Sequence, residues 1–180
     1  MSYSVEISGD VTLRLLTERD VGLVLDAYLR NREHLAPWDP ARSESFFTSV
    51  EQAAILTDQI EQLKAGSSVP FVIINNDTII GRINLTGIVR GPFQSANVGY
   101  WVDKNHVGQG LASAALENVI NHCNKDLGLH RLQASTLLHN LGSQKVLRKA
   151  GFEPIGIAQK YLKIAGTWQD HLLFQRILSE

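Results

Sequence analysis

One hundred and eighty residues suffice for one ordinary domain with a sizeable core, and no repeat, low-complexity tract or linker divides the chain, so residues 1–180 are expected to form a single domain. An apolar fraction of 44% beside 19% charged residues excludes a disordered chain. Seventeen basic and 18 acidic side chains, net −1, leave no electrostatic footprint for direct nucleic-acid binding and no polybasic hold on an anionic membrane.

A single cysteine excludes an internal disulfide and fits a cytoplasmic location. The start, Met1 to Leu15, lacks the basic region and apolar run of a signal peptide. The longest apolar runs fall far short of a membrane span.

In chain order, Val11–Leu16 reads as a strand. Thr17 or Asp20 starts a helix through about Asn31, with Val21, Val24, Leu25, Tyr28 and Leu29 on one face. His34–Ser45 reads as irregular, broken by Pro37 and Pro40. Thr48 and Glu51 are spaced as a capping box opening a second helix, which Gly66 ends. Pro70–Ile74 and Ile79–Val89 are strands joined through Asn75-Asn76-Asp77, and Ala96–Val102 is a third. Leu111–Leu127 has a helical stripe, Arg131–Leu138 is a strand, and Leu141–Ala150 is a short helix capped by Asn140. Phe152–Ile164 and His171–Ile177 pair across Ala165-Gly166. The order β-α-α-β-β-β-α-β-α-β-β predicts an α/β (α+β) fold with a mixed sheet of about seven strands and helices on both faces.

The stretch from Tyr100 to Ala112 carries the chemistry: a strand ends, a glycine-bearing loop follows, and a long helix begins. Small residues let backbone N–H groups approach an anion, and the helix dipole adds attraction, so Gly108-Gln109-Gly110 suits a diphosphate without any lysine. The plain alternative is a tight turn at a helix start. Ser113 stands where a dinucleotide fingerprint needs its third glycine, and no Gly-Lys-Ser/Thr of a P-loop occurs.

A second constellation follows about thirty residues later. With the glycine loop, Asn140-Leu141-Gly142-Ser143 and Lys149-Ala150-Gly151-Phe152 resemble the GNAT superfamily of acetyltransferases. The family loop runs Gln/Arg-x-x-Gly-x-Gly/Ala: Gly110 and Ala112 match, and Val107 departs where Gln or Arg is usual. Leu13-Arg14-Leu15, His34-Leu35-x-Pro37-Trp38 and Trp168-x-Asp170-His171 resemble the RimJ/RimL-type ribosomal-protein N-acetyltransferase branch, over nearly the whole chain. The resemblance implies a mostly antiparallel sheet splayed between its fourth and fifth strands, Ala96–Val102 and Arg131–Leu138, with the pantetheine arm in the gap.

It also implies acetyl-CoA as co-substrate and direct attack by a primary amine, with no acyl-enzyme. Val107, Gly108, Gln109, Gly110, Leu111 and Ala112 would hold the coenzyme's phosphates. Asn140 would bond the pantetheine, and a backbone N–H near Trp101 or Val102 would steady the oxyanion. Ser143 would protonate or hydrogen-bond the departing sulfur. The plain readings stay open: Asn140 as an N-cap, Ser143 as a first-turn serine bonding locally. Cys123 lies on an apolar helix stripe and reads as a buried structural thiol.

On the acceptor side the candidates are His34, Trp38 and Asp39, with Glu33 and Asp170 behind them. Trp38 could instead plug the core edge, and Asp170 beside His171 could be strand-edge polarity. His106, His122, His130 and His139 show no metal-ligand spacing, so no metal is expected. The expected acceptor is a protein N-terminal α-amine, with a ribosomal protein in view. An acidic pocket around Glu33, Asp39 and Glu44 would instead favour a small cationic amine. Tight coenzyme binding without transfer would mark a non-catalytic acyl-CoA-binding module. Dimerisation is common in the family, so a homodimer is compatible with the resemblance.

Overall fold

The computed structural model describes residues 3–179. Its strands are β1 (Ser4–Ser8), β2 (Val11–Leu15), β3 (Val69–Asn75), β4 (Thr78–Val89), β5 (Ser95–Val102), β6 (Arg131–Leu137), β7 (Glu153–Ile164) and β8 (Thr167–Ile177). The helices are α1 (Val21–Leu35), α2 (Ser49–Lys64), α3 (Leu111–Lys125) and α4 (Leu141–Lys149). The strands form one eight-stranded sheet in the order β1-β2-β3-β4-β5-β6-β8-β7. Every pairing is antiparallel except β5 with β6.

The strand missed in the sequence is β1. It alternates exposed and half-buried residues, buries none fully, and pairs on one side only. A polar edge strand of that kind lacks the apolar alternation that marks its neighbours. The implied splay therefore falls between the fifth and sixth strands of the sheet.

That splay is visible in the register. β5 and β6 pair only at Ser95–Asn97 with Arg131–Gln133. Beyond Asn97 the edge of β5 facing β6 has no ladder partner, so the backbone groups of alternate residues, Val98, Tyr100 and Val102, line a gap, while those of Trp101 face β4. On its other edge β5 is held along its length by β4. Gly81 is required there, because a Cβ would lie 2.7 Å from the Trp101 carbonyl oxygen.

Two cores cover the faces. Helix α3 buries Leu111, Ala115, Leu116, Val119, Ile120 and Cys123 against Phe71, Ile73, Ile83, Leu85 and Leu132. This is the three-to-four spacing of a helix with one apolar stripe. Helices α1 and α2 bury Val24, Tyr28, Leu35 and Leu56 with Val72 and Ile79 on the opposite face. The capping of α2 is as expected in its first half: Thr48 accepts from the Glu51 N–H at 3.3 Å. The terminal hairpin turns at Ala165 and Gly166, both with positive φ, and β8 begins at Thr167 rather than at His171. Among the described residues no helix is long and apolar enough to cross a membrane.

Candidate active site

The glycine loop leaves β5 through a 3-10 turn, Lys104–His106, and enters α3 at Gly110. Gly108 and Gly110 take φ of 82° and 79°, the left-handed region open to glycine. A Cβ on either would meet nothing within 4 Å, so the loop faces open space. The N–H groups from Val107 to Ser113 donate to no group among the described residues. Seven consecutive free amides at the positive end of a fifteen-residue helix suit a diphosphate. Side chains do not crowd them: Leu111 is buried in the core and Val107 is 61% exposed. Gln109 turns back to donate to the Asn105 carbonyl at 3.2 Å.

Across the gap, Asn140 caps α4 by accepting from the Ser143 N–H at 3.1 Å. Its side-chain amide nitrogen makes no hydrogen bond among the described residues and stays free to donate. The Ser143 hydroxyl does not bond locally. It lies 3.0 Å from the hydroxyl of Tyr100 on β5, which also donates to the Ser143 carbonyl at 3.2 Å. Burial pushes the Tyr100 phenol up to about 12, the Ser143 bond pulling against it, so the ring stays neutral at any physiological pH. Tyr100 was not singled out from the sequence. Its signal was the alternation of β5, which puts it on one face with Ala96 and Val98, while Trp101 turns to the other and packs 5.4 Å from Tyr28.

The acceptor-side candidates separate. His34 is not in an irregular segment: α1 runs on to Leu35, because Asn31 and Leu35 continue its buried face. Trp38 is 37% exposed and stacks 5.5 Å from His139, so it bridges to the loop before α4 rather than plugging the core. The Asp39 carbonyl accepts from the Ala165 N–H at 3.0 Å, tying this loop to the β7–β8 turn. Behind it lies a cleft of about 310 Å³ lined by Tyr28, Arg32, Asp39, Arg42, Phe46 and Phe47, among others. Desolvation raises the Asp39 carboxyl, against Arg42 at 3.5 Å. Glu44 pairs with Arg32, one contact being 3.2 Å, and Glu33 is exposed. Asp170 and His171 are adjacent on a strand and point to opposite faces. Asp170 caps the Lys160 N–H at 2.9 Å, and His171 is buried with Nδ1 3.0 Å from the Gln169 carbonyl.

Cys123 is fully buried on α3, and burial pushes its thiol up to about 12. A thiol so protonated and enclosed is no nucleophile. Cys123→Ala is expected to keep kcat within about twofold of the parent, measured with saturating substrates, since the loss is one of packing alone.

Free amides at a helix mouth suit a phosphate-bearing ligand, and a serine and a tyrosine meet across the gap beside them. Residues 10–153 match the acetyltransferase (GNAT) domain family. The chain belongs to the GNAT acetyltransferase family. It is 36% identical over 165 residues to the [ribosomal protein uS5]-alanine N-acetyltransferase of Escherichia coli (strain K12), across 91% of this chain and 85% of that one. The ribosomal-protein-S5-alanine acetyltransferase from Vibrio fischeri superposes with a TM-score of 0.94 at 35% identity, covering 99% and 98% of the two chains. RimJ from Mycobacterium smegmatis in complex with CoA-disulfide gives 0.91 at 29%, covering 98% of this chain and 86% of that one. This GNAT enzyme is thus an acetyl-CoA-dependent N-acetyltransferase of RimJ/RimL type.

Proposed function

We propose that this GNAT enzyme, acting as a single cytoplasmic domain, acetylates the N-terminal α-amine of a protein, a ribosomal protein being the leading candidate. One observation favours this over a small cationic amine. The three carboxylates that would make an acidic pocket do not combine: Glu44 is paired with Arg32, Asp39 faces Arg42, and Glu33 stands in solvent. Both arginines line the cleft, so a polyamine or aminoglycoside meets cations as well as a carboxylate. The relatives named for ribosomal-protein alanine acetylation support the same reading.

Each residue then has a task. The amides of Val107, Gly108, Gln109, Gly110, Leu111 and Ala112, with that of Ser113, take the diphosphate of acetyl-CoA. The free amide of Asn140 and the unpaired edge of β5 at Val102 take the pantetheine arm and the thioester oxygen, the backbone of Trp101 being turned to β4. His34, Trp38 and Asp39 face the acceptor. An α-amine has a pKa of roughly 8, so about a tenth is neutral at pH 7, whereas a lysine at about 10.4 is neutral at roughly one part in a few thousand. The neutral amine attacks the carbonyl carbon, the carbon–sulfur bond breaks, the nitrogen gives up one proton to solvent, and the sulfur leaves as a thiolate of pKa about 8.5. Ser143, backed by Tyr100, donates the hydrogen bond or proton that the sulfur needs.

The test is a panel of peptides scored by release of free CoA thiol. Peptides with a free N-terminus should turn over, with kcat/KM rising through a pKa near 8. The same peptides with a blocked N-terminus and an internal lysine should not. Faster turnover of polyamines or lysine side chains would overturn the assignment.

A further inference from the structure

The loop that offers the free amides changes character at one residue. From Asp103 to His106 every backbone N–H has a partner. Asp103 donates to the Ile80 carbonyl at 2.8 Å, Lys104 to Asn31 Oδ1 at 2.9 Å, Asn105 to Asp103 Oδ1 at 2.9 Å and His106 to the Asp103 carbonyl at 2.8 Å. From Val107 to Ser113 none does, among the described residues. The residue at the root of the satisfied half is Asp103, which is 1% exposed.

Its carboxylate is held from α1. Asp103 Oδ2 accepts from Arg30 Nε at 2.7 Å and from Asn31 Nδ2 at 2.8 Å. Arg30 also donates to the Ile79 carbonyl at 2.6 Å, and Asn31, wholly buried, to the Ala27 carbonyl at 2.9 Å. His106 Nδ1 stands 3.6 Å from Asp103 Oδ1. These donors outweigh desolvation and hold the carboxyl well below the usual carboxylate range, so it is ionised at neutral pH. A buried charge with several charge-assisted bonds is a stiff joint. One turn beyond Arg30 and Asn31, α1 ends at Leu35 and the chain enters Trp38 and Asp39, which reach His139 and the β7–β8 turn.

We infer that Asp103 is a positioning residue for both substrates: through Arg30 and Asn31 it sets the glycine loop that receives the coenzyme's diphosphate and the end of α1 that carries the acceptor loop. Asp103 itself touches neither substrate. The inference rests on the site assignments proposed above. It adds that the two binding surfaces share one anchor, so disturbing that anchor weakens both together.

The experiment compares Asp103→Asn and Arg30→Met with the parent and with Gly110→Val in the full chain, by Kd for CoA and by both KM values. Asp103→Asn should raise the Kd for CoA, the KM for acetyl-CoA and the KM for the acceptor peptide together, each by about three- to thirtyfold, with kcat at saturation within about threefold. Arg30→Met removes one of the carboxylate's two side-chain donors and the bond to the Ile79 carbonyl, from a side chain that is partly exposed, and should shift the same constants in the same direction by less, even if Asp103→Asn fails to fold. The double variant should fall short of the product of the single effects. A lowered Tm with both KM values unchanged, or a rise in one KM alone, overturns the shared anchor. If Gly110→Val also leaves CoA affinity untouched, the loop assignment has failed; if it weakens CoA while the clamp variants do not, the inference alone has failed.

Discussion

Gly110→Val is expected to raise the KM for acetyl-CoA by more than about tenfold while kcat at saturation falls by no more than about threefold. Two effects act together. The φ of 79° is the left-handed region, which costs an ordinary residue about 1–2 kcal/mol and a β-branched one more. A Cβ here would also project into open space, so nothing in the protein resists the valine. The new side chain therefore occupies volume in front of the free amides rather than displacing a neighbour. Either the loop relaxes and its amides diverge, or the loop holds and the methyl groups meet the phosphates. Both outcomes weaken the coenzyme and leave the Ser143–Tyr100 pair alone. Gly110→Ala isolates the backbone part and should sit between the two. Unchanged acetyl-CoA affinity in the valine variant would remove the loop from the binding site.

Ser143→Ala is the second large effect, a fall in kcat of about ten- to a hundredfold at saturating acetyl-CoA with KM nearly constant. The lower end applies because the leaving thiolate is already a fair leaving group. Tyr100→Phe removes the hydroxyl behind Ser143 but keeps the ring, and a lost neutral hydrogen bond of about 0.5–1.5 kcal/mol predicts a two- to twelvefold fall. Because the Tyr100 phenol is pushed up to about 12, its neutral form persists and no new titration should enter the rate profile below pH 10. Equal rates for Ser143→Ala and the parent would exclude both groups from the chemistry.

Much of the fold was readable because α3, β3, β4 and β6 carry period-matched apolar residues that the two cores bury. The glycine loop was readable too, since only small residues allow that backbone. What the sequence hid has a common cause: it depends on partners far apart in the chain. Edge strand β1 has no buried stripe. Tyr100 gains meaning only when α4 places Ser143 across the gap, 43 positions later. Asp103 looks like a loop aspartate until Arg30 and Asn31 approach it from α1. His34 was misplaced because Pro37 suggested an earlier break than the buried face of α1 permits. The apparent acidity of Glu33, Asp39 and Glu44 vanished once Arg32 and Arg42 were seen beside two of them.

The short union of β5 and β6, three residue pairs long, also bears on the order of events. Helices α3 and α4 pack on one face of the sheet and α1 and α2 on the other. With the coenzyme at the head of α3 and the acceptor beside the end of α1, as proposed, both substrates would be bound at once. Initial-rate lines at several fixed acceptor concentrations then intersect, the mark of a ternary complex, instead of running parallel as in double displacement.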